Sequence, residues 1–173
     1  MLCSGSTKVC GTLSQGSIPC FHPQNNKMKI LFVCKYNRFR SRIAEAYFNK
    51  INKNPKIKAE SAGIIQGWLP LDKTEVEIAK EFDLDIIGKP RALSTELLRQ
   101  QNKIVIAADN VPISIFEKVM IADNTPISFA SKNNLIIWKI QDEEKGNKES
   151  IRKIIKSIIA NVDKLTNELR GEK

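Results

Sequence analysis

Short apolar runs recur along the chain with helical patterns between them, and this alternation restricts the fold more than any other feature. Met28–Val33 (MKILFV) is a compact apolar run, the pattern of a buried parallel strand. Lys103–Ala108 (KIVIAA) and Leu135–Ile140 (LIIWKI) repeat it, and Ile57–Glu60 adds a short alternating strand that ends at SAG. Between them, Arg42–Ile51 places Ile43, Tyr47, Phe48 and Ile51 on one helical stripe. Asp72 can cap a second helix because Glu75 stands three residues on, as in a capping box, with Val76, Ala79 and Phe82 facing inward. Ser94 can cap a short third helix through Leu97 and Leu98. From Ile151 to Leu169 the apolar residues keep helical spacing, which predicts a long C-terminal helix. Strands alternating with helices imply a parallel sheet covered on both faces, in one α/β domain over 28–173.

Met1 to Lys27 differs in kind. It is rich in Ser, Gly, Asn and Pro, shows no periodic apolar face and lacks the apolar core of a signal peptide. We expect a flexible extension, with Met28 a possible true start. Cys3, Cys10, Cys20 and the single histidine, His22, all fall in it, which leaves Cys34 alone in the domain. A disulfide framework and a zinc site are therefore not expected, and a reducing cytoplasm fits best. No apolar run approaches the ~20 residues needed to cross a bilayer. The net charge of +9 favours anionic partners. Yet the lysines are scattered over helix faces and only 6% of the chain is aromatic, so no nucleic-acid stacking platform is expected.

The charge is most concentrated in VCKYNRFRSR, where Lys35, Arg38, Arg40 and Arg42 follow a strand-end cysteine. These cations repel one another unless something negative sits among them. In a parallel sheet, ligands collect at the carboxyl ends of strands, where loops enter helix N-termini. A loop of successive backbone N–H groups backed by a helix N-terminus is a ready anion site. Arg40 adds a planar fork for two phosphoryl oxygens, and the same field favours the thiolate of Cys34. Cys34, Arg40 and Ser41 together read as a nucleophile in an oxyanion cradle. The whole loop, Lys35, Tyr36, Asn37, Arg38, Phe39, Arg40 and Ser41, is the candidate phosphate-binding segment. Within it the side chain of Arg38, like that of Arg42 beyond it, reads as a solvated charge. Tyr36 and Phe39 could pack the loop or touch substrate.

ILFVCKYNRFRSRIAEAYF, followed by SAG, resembles the low-molecular-weight protein tyrosine phosphatase family, which also contains thioredoxin-coupled arsenate reductases. PLDKTEVEIAKEFDLDI, KIVIAAD and WKIQDEEKGNKESIRKII are similar to its second helix, its third strand, and its general-acid loop and last helix. The resemblance implies a four-stranded parallel sheet with helices on both faces. It implies a cysteine-dependent phosphomonoesterase, phosphotyrosine-type, that works as a monomer through a cysteinyl-phosphate with no metal or cofactor. Its substrates would be phosphorylated proteins or small phosphomonoesters. By position Cys34 is the nucleophile, Arg40 the phosphate clamp and Asp142 the general acid. Ser41 would donate to the thiolate, Asn37 would hold a left-handed turn, and Ser61 would support it. Trp68 lies near a family aromatic on the cleft rim. Glycine is common in the family where Tyr36 stands, a second cysteine where Phe39 stands, and proline where Glu143 follows the aspartate. Arsenate reduction on the same loop and an inactive phosphate-binding relative are the alternatives.

Overall fold

The computed structural model describes residues 27–65, 70–116, 134–142 and 146–171. The expected N-terminal extension, apart from Lys27, lies outside them. The elements in chain order are β1 (Met28–Cys34), α1 (Arg40–Ile51), β2 (Ile57–Gly63), α2 (Lys73–Glu81), α3 (Thr95–Arg99), β3 (Lys103–Ile106), β4 (Leu135–Ile137) and α4 (Lys148–Arg170).

The four strands form one parallel sheet in the order β2-β1-β3-β4. β1 lies between two neighbours, and its residues Ile30, Leu31, Phe32 and Val33 are fully buried. That is why its apolar run is continuous rather than alternating. Alternate residues feed two cores. Ile30 and Phe32 pack with Ile43 and Phe48 of α1, Ile78 of α2 and Ile151, Ile155 and Ile158 of α4. Leu31 and Val33 pack on the other face with Leu97 and Leu98 of α3, Val111 and Phe116. Phe32 is flanked by Phe48 and Trp138, with ring centroids 6.0 and 5.6 Å away.

Local signals set the helix starts. Asp72 accepts from Thr74 N–H at 2.7 Å, and Glu75 reaches back to Asp72 N–H at 3.2 Å, completing the expected box. Ser94 accepts from Leu97 N–H at 3.1 Å, and Asn147 caps α4 through the N–H groups of Glu149 and Ser150. α4 ends at Gly171 in the left-handed conformation (φ 73°), the glycine C-cap that a side chain would strain.

Several boundaries differ from the expectation. α1 begins at Arg40 rather than Arg42, β1 runs to Cys34 rather than Val33 and β2 to Gly63 rather than Glu60, while β3 stops at Ile106 rather than Ala108 and β4 at Ile137 rather than Ile140. Ser61, Ala62 and Gly63 pair with Phe32, Val33 and Cys34, so polar or small residues are drawn into the sheet by their neighbour rather than by their own propensity. Among the described residues no helix is long and apolar enough to cross a membrane.

Candidate active site

β1 ends at Cys34, which is 3% exposed, and the chain turns through residues 35–39 into α1. α1 lacks what α2, α3 and α4 have. Phe39 stands at its N-cap, no side chain caps it, and its first turn contains no acidic residue. Instead Arg40 and Arg42 add positive charge to the positive end of the helix dipole. Both effects favour an anion at this point.

Asn37 organises the turn. It is left-handed (φ 51°), a conformation asparagine tolerates better than most residues, and it is 2% exposed. Its amide nitrogen donates to Ser41 Oγ at 3.0 Å and to Ser61 Oγ at 2.7 Å, while its oxygen accepts from Arg91 N–H at 2.8 Å. Ser61 in turn donates to a Glu45 carboxylate oxygen at 2.5 Å. Ser41 Oγ lies 3.1 Å from Cys34 Sγ. Because that oxygen already accepts from Asn37, its own proton is available to the sulfur. The chain Glu45–Ser61–Asn37–Ser41–Cys34 thus aims one hydroxyl at the candidate nucleophile.

Arg40 belongs to a second network. Its guanidinium is 4% exposed and donates to Ile140 O at 2.9 Å, Asp109 Oδ1 at 3.4 Å and Asn110 Oδ1 at 3.3 Å. Asp142 Oδ2 is 3.0 Å from Arg40 Nη2, and Asn110 Nδ2 donates to that same oxygen at 3.2 Å. The loops after β3 and β4 therefore bring Asp142 to the guanidinium fork, 54% exposed at the mouth of the site. Asp109 and Asn110 were not singled out from the sequence. The available signal was an Asp-Asn pair directly after a buried parallel strand, where ligands gather.

The remaining loop side chains do other things. Lys35 Nζ sits 5.1 Å from the Tyr36 ring centroid. Tyr36 needs no left-handed backbone, since among the described residues only Asn37 and Asp83 adopt positive φ without being glycine. Phe39 is buried in the core with α1 and α4, so it packs the loop. The reading of Arg38 and Arg42 as solvated charges is corrected. Arg38 pairs with Glu75 at 3.3 Å, a carboxylate only 1% exposed, and Arg42 donates to Gly88 O at 2.6 Å. A buried carboxylate needs a charged or polar partner, and the nearby loop cation supplies it. Trp68 and Glu143 lie outside the described residues.

Gly63 shows how tightly the loop is seated. A Cβ there would stand 2.6 Å from Asn37 N and 2.6 Å from the Tyr36 carbonyl carbon, backbone atoms that cannot step aside cheaply. Gly63→Ala is expected to lower stability by roughly 1–3 kcal/mol through overpacking, and to displace Asn37. Urea melts of the two proteins check this, and an unchanged midpoint would show that the loop yields.

Comparison with curated protein sequences gives no significant match. Solved structures share the fold. A low molecular weight protein tyrosine phosphatase from T. tengcongensis is 23% identical, with a TM-score of 0.63 over 82% of this chain and 99% of that one. The YwlE arginine phosphatase from Geobacillus stearothermophilus is 19% identical, with a TM-score of 0.65 over 84% of this chain and 94% of the other. An arsenate reductase from Archaeoglobus fulgidus is 26% identical, with a TM-score of 0.59 over 80% and 98% respectively. The family profile described as low molecular weight phosphotyrosine protein phosphatase matches residues 29–173, nearly the whole domain. This chain belongs to that family of phosphatases.

Proposed function

We propose that the protein hydrolyses phosphomonoesters, phosphotyrosine-type in proteins, through a cysteinyl-phosphate formed on Cys34. The observation that carries this is the Ser41 hydroxyl 3.1 Å from Cys34 Sγ, beside a helix N-terminus with no side-chain cap. The thiolate attacks phosphorus in line, the S–P bond forms and the ester P–O bond breaks. Arg40 and the backbone N–H groups of residues 35–41 hold the equatorial oxygens as charge builds. Asp142 gives its proton to the leaving oxygen, then takes one from the water that cleaves S–P and releases inorganic phosphate. In the ligand-free arrangement Asp142 rests on Arg40, 3.0 Å away. An arriving phosphoryl group competes for the same guanidinium edge, and the displaced carboxylate takes up a proton from solvent or from the phosphate monoanion before it meets the leaving oxygen as an acid.

Arsenate reduction on this loop has a specific objection. No cysteine follows Cys34, so a thiol relay within the domain has no second member. The test sets the chemistries side by side. Hydrolysis of p-nitrophenyl phosphate is expected to proceed at the same rate with and without EDTA, and vanadate is expected to compete. Thiol-dependent arsenate turnover is expected to be absent. Arsenate reduction without ester hydrolysis would reverse the assignment, and tight vanadate binding without any turnover would make the protein a phosphate-binding relative.

A further inference from the structure

Arg42 lies just behind the loop and was read from the sequence as solvated, yet its guanidinium is anchored. It leaves α1 to donate to Gly88 O at 2.6 Å, 46 residues further along the chain. Gly88 has φ 148°, a backbone conformation side chains rarely adopt, and a Cβ there would meet Arg42 Nη2. The guanidinium thus takes the space a side chain at 88 would start into, and the positive φ there favours glycine.

The segment that forms this notch continues into the residues that grip the loop. Arg91 N–H donates to Asn37 Oδ1 at 2.8 Å, Gly63 N–H to Arg91 O at 2.8 Å, and Leu93 N–H to Gly63 O at 2.7 Å. Burial lowers the Arg42 pKa, and the carboxylates that oppose this most are Glu45 and Asp85. Glu45 holds the far end of the Ser61–Asn37–Ser41 chain. One cation therefore touches the segment that holds the Asn37 oxygen and lies near the carboxylate that anchors the Asn37 amide.

We infer that Arg42 is a positioning residue for the phosphate-binding loop, clamping the 85–91 segment to α1 so that Arg91 keeps Asn37 in its left-handed turn. The clamp acts through Asn37 and Ser41 on the direction of the hydroxyl that serves Cys34. A displacement of about 1 Å in such a chain can cost on the order of 100-fold in rate. The kinetic side of the inference rests on the phosphatase reading, and the exchange measurement below does not.

Arg42→Gln should lower kcat for p-nitrophenyl phosphate by roughly 10-fold or more, with a smaller change in KM. Amide hydrogen exchange followed by NMR should quicken at Arg91 while the Ile155 amide in α4 stays as slow as before. Arg42→Lys, which keeps the charge and one donor, should fall between. Exchange at Arg91 unchanged, or accelerated equally at Ile155, would overturn the clamp. An altered Arg91 amide with kcat within twofold of the unmodified protein would overturn the positioning role. If the unmodified protein hydrolyses no phosphomonoester, the phosphatase reading fails, and the exchange result alone still decides whether Arg42 clamps the segment.

Discussion

Cys34→Ser is expected to abolish turnover of p-nitrophenyl phosphate while leaving the fold in place. The substitution exchanges sulfur for a smaller oxygen at a site 3% exposed, within reach of the same Ser41 hydroxyl, so packing changes little. The chemistry changes greatly. A thiol ionises far more readily than an alcohol and is the stronger nucleophile, and the domain from Met28 onward contains no histidine to activate a serine hydroxyl at the end of β1. Loss of the nucleophile is expected to cost on the order of 10⁶-fold, as in other enzymes that lose theirs. Steady-state assays with circular dichroism on the same samples make the comparison. A folded Cys34→Ser protein that retains even a hundredth of the rate would sink the covalent mechanism.

Asp142→Asn is the second large effect, and its size should depend on the leaving group. General acid catalysis is typically worth ~10²- to 10⁴-fold, and an acidic phenol needs little of it. Alkyl and unactivated phenyl phosphates are therefore expected to slow by that range, and p-nitrophenyl phosphate by much less. Anion binding should move the other way. Asp142 occupies Arg40 Nη2 at 3.0 Å in the ligand-free site, so removing its charge leaves the guanidinium open to vanadate, which should compete as well or better. Arg40→Ala should instead weaken vanadate competition through loss of the bidentate contact. A small, uniform loss across leaving groups would assign the proton to another carboxyl, with Glu143 and Glu144 the nearest in sequence.

Much of the site was legible because its members are sequence neighbours. Cys34, Asn37, Arg40 and Ser41 fall within one strand-to-helix turn, and spacing alone places them together. Ser61 was reachable through the family resemblance, and its hydroxyl does meet Asn37 at 2.7 Å. Asp109 and Asn110 were not legible as partners of Arg40. They lie 69 and 70 residues from it in the chain, and only the pairing of β3 beside β1 brings them to the guanidinium. Arg38 was misread for a related reason. Whether a loop cation is solvated depends on what packs over it, and here that is Glu75, 37 residues away.

The strand-and-helix alternation, the caps at Asp72 and Ser94, and the cysteine-to-arginine spacing were all determined by the sequence alone. Each depends on interactions between residues a few positions apart, where adjacency fixes distance. The strand order β2-β1-β3-β4, the extension of β2 to Gly63 and the seating of Arg42 against Gly88 were decided only by the tertiary structure. Those features join residues far apart in the chain, and their distances exist only once the two cores have closed on either face of β1. The candidate nucleophile is therefore local in origin, while the groups that orient it are held by the sheet.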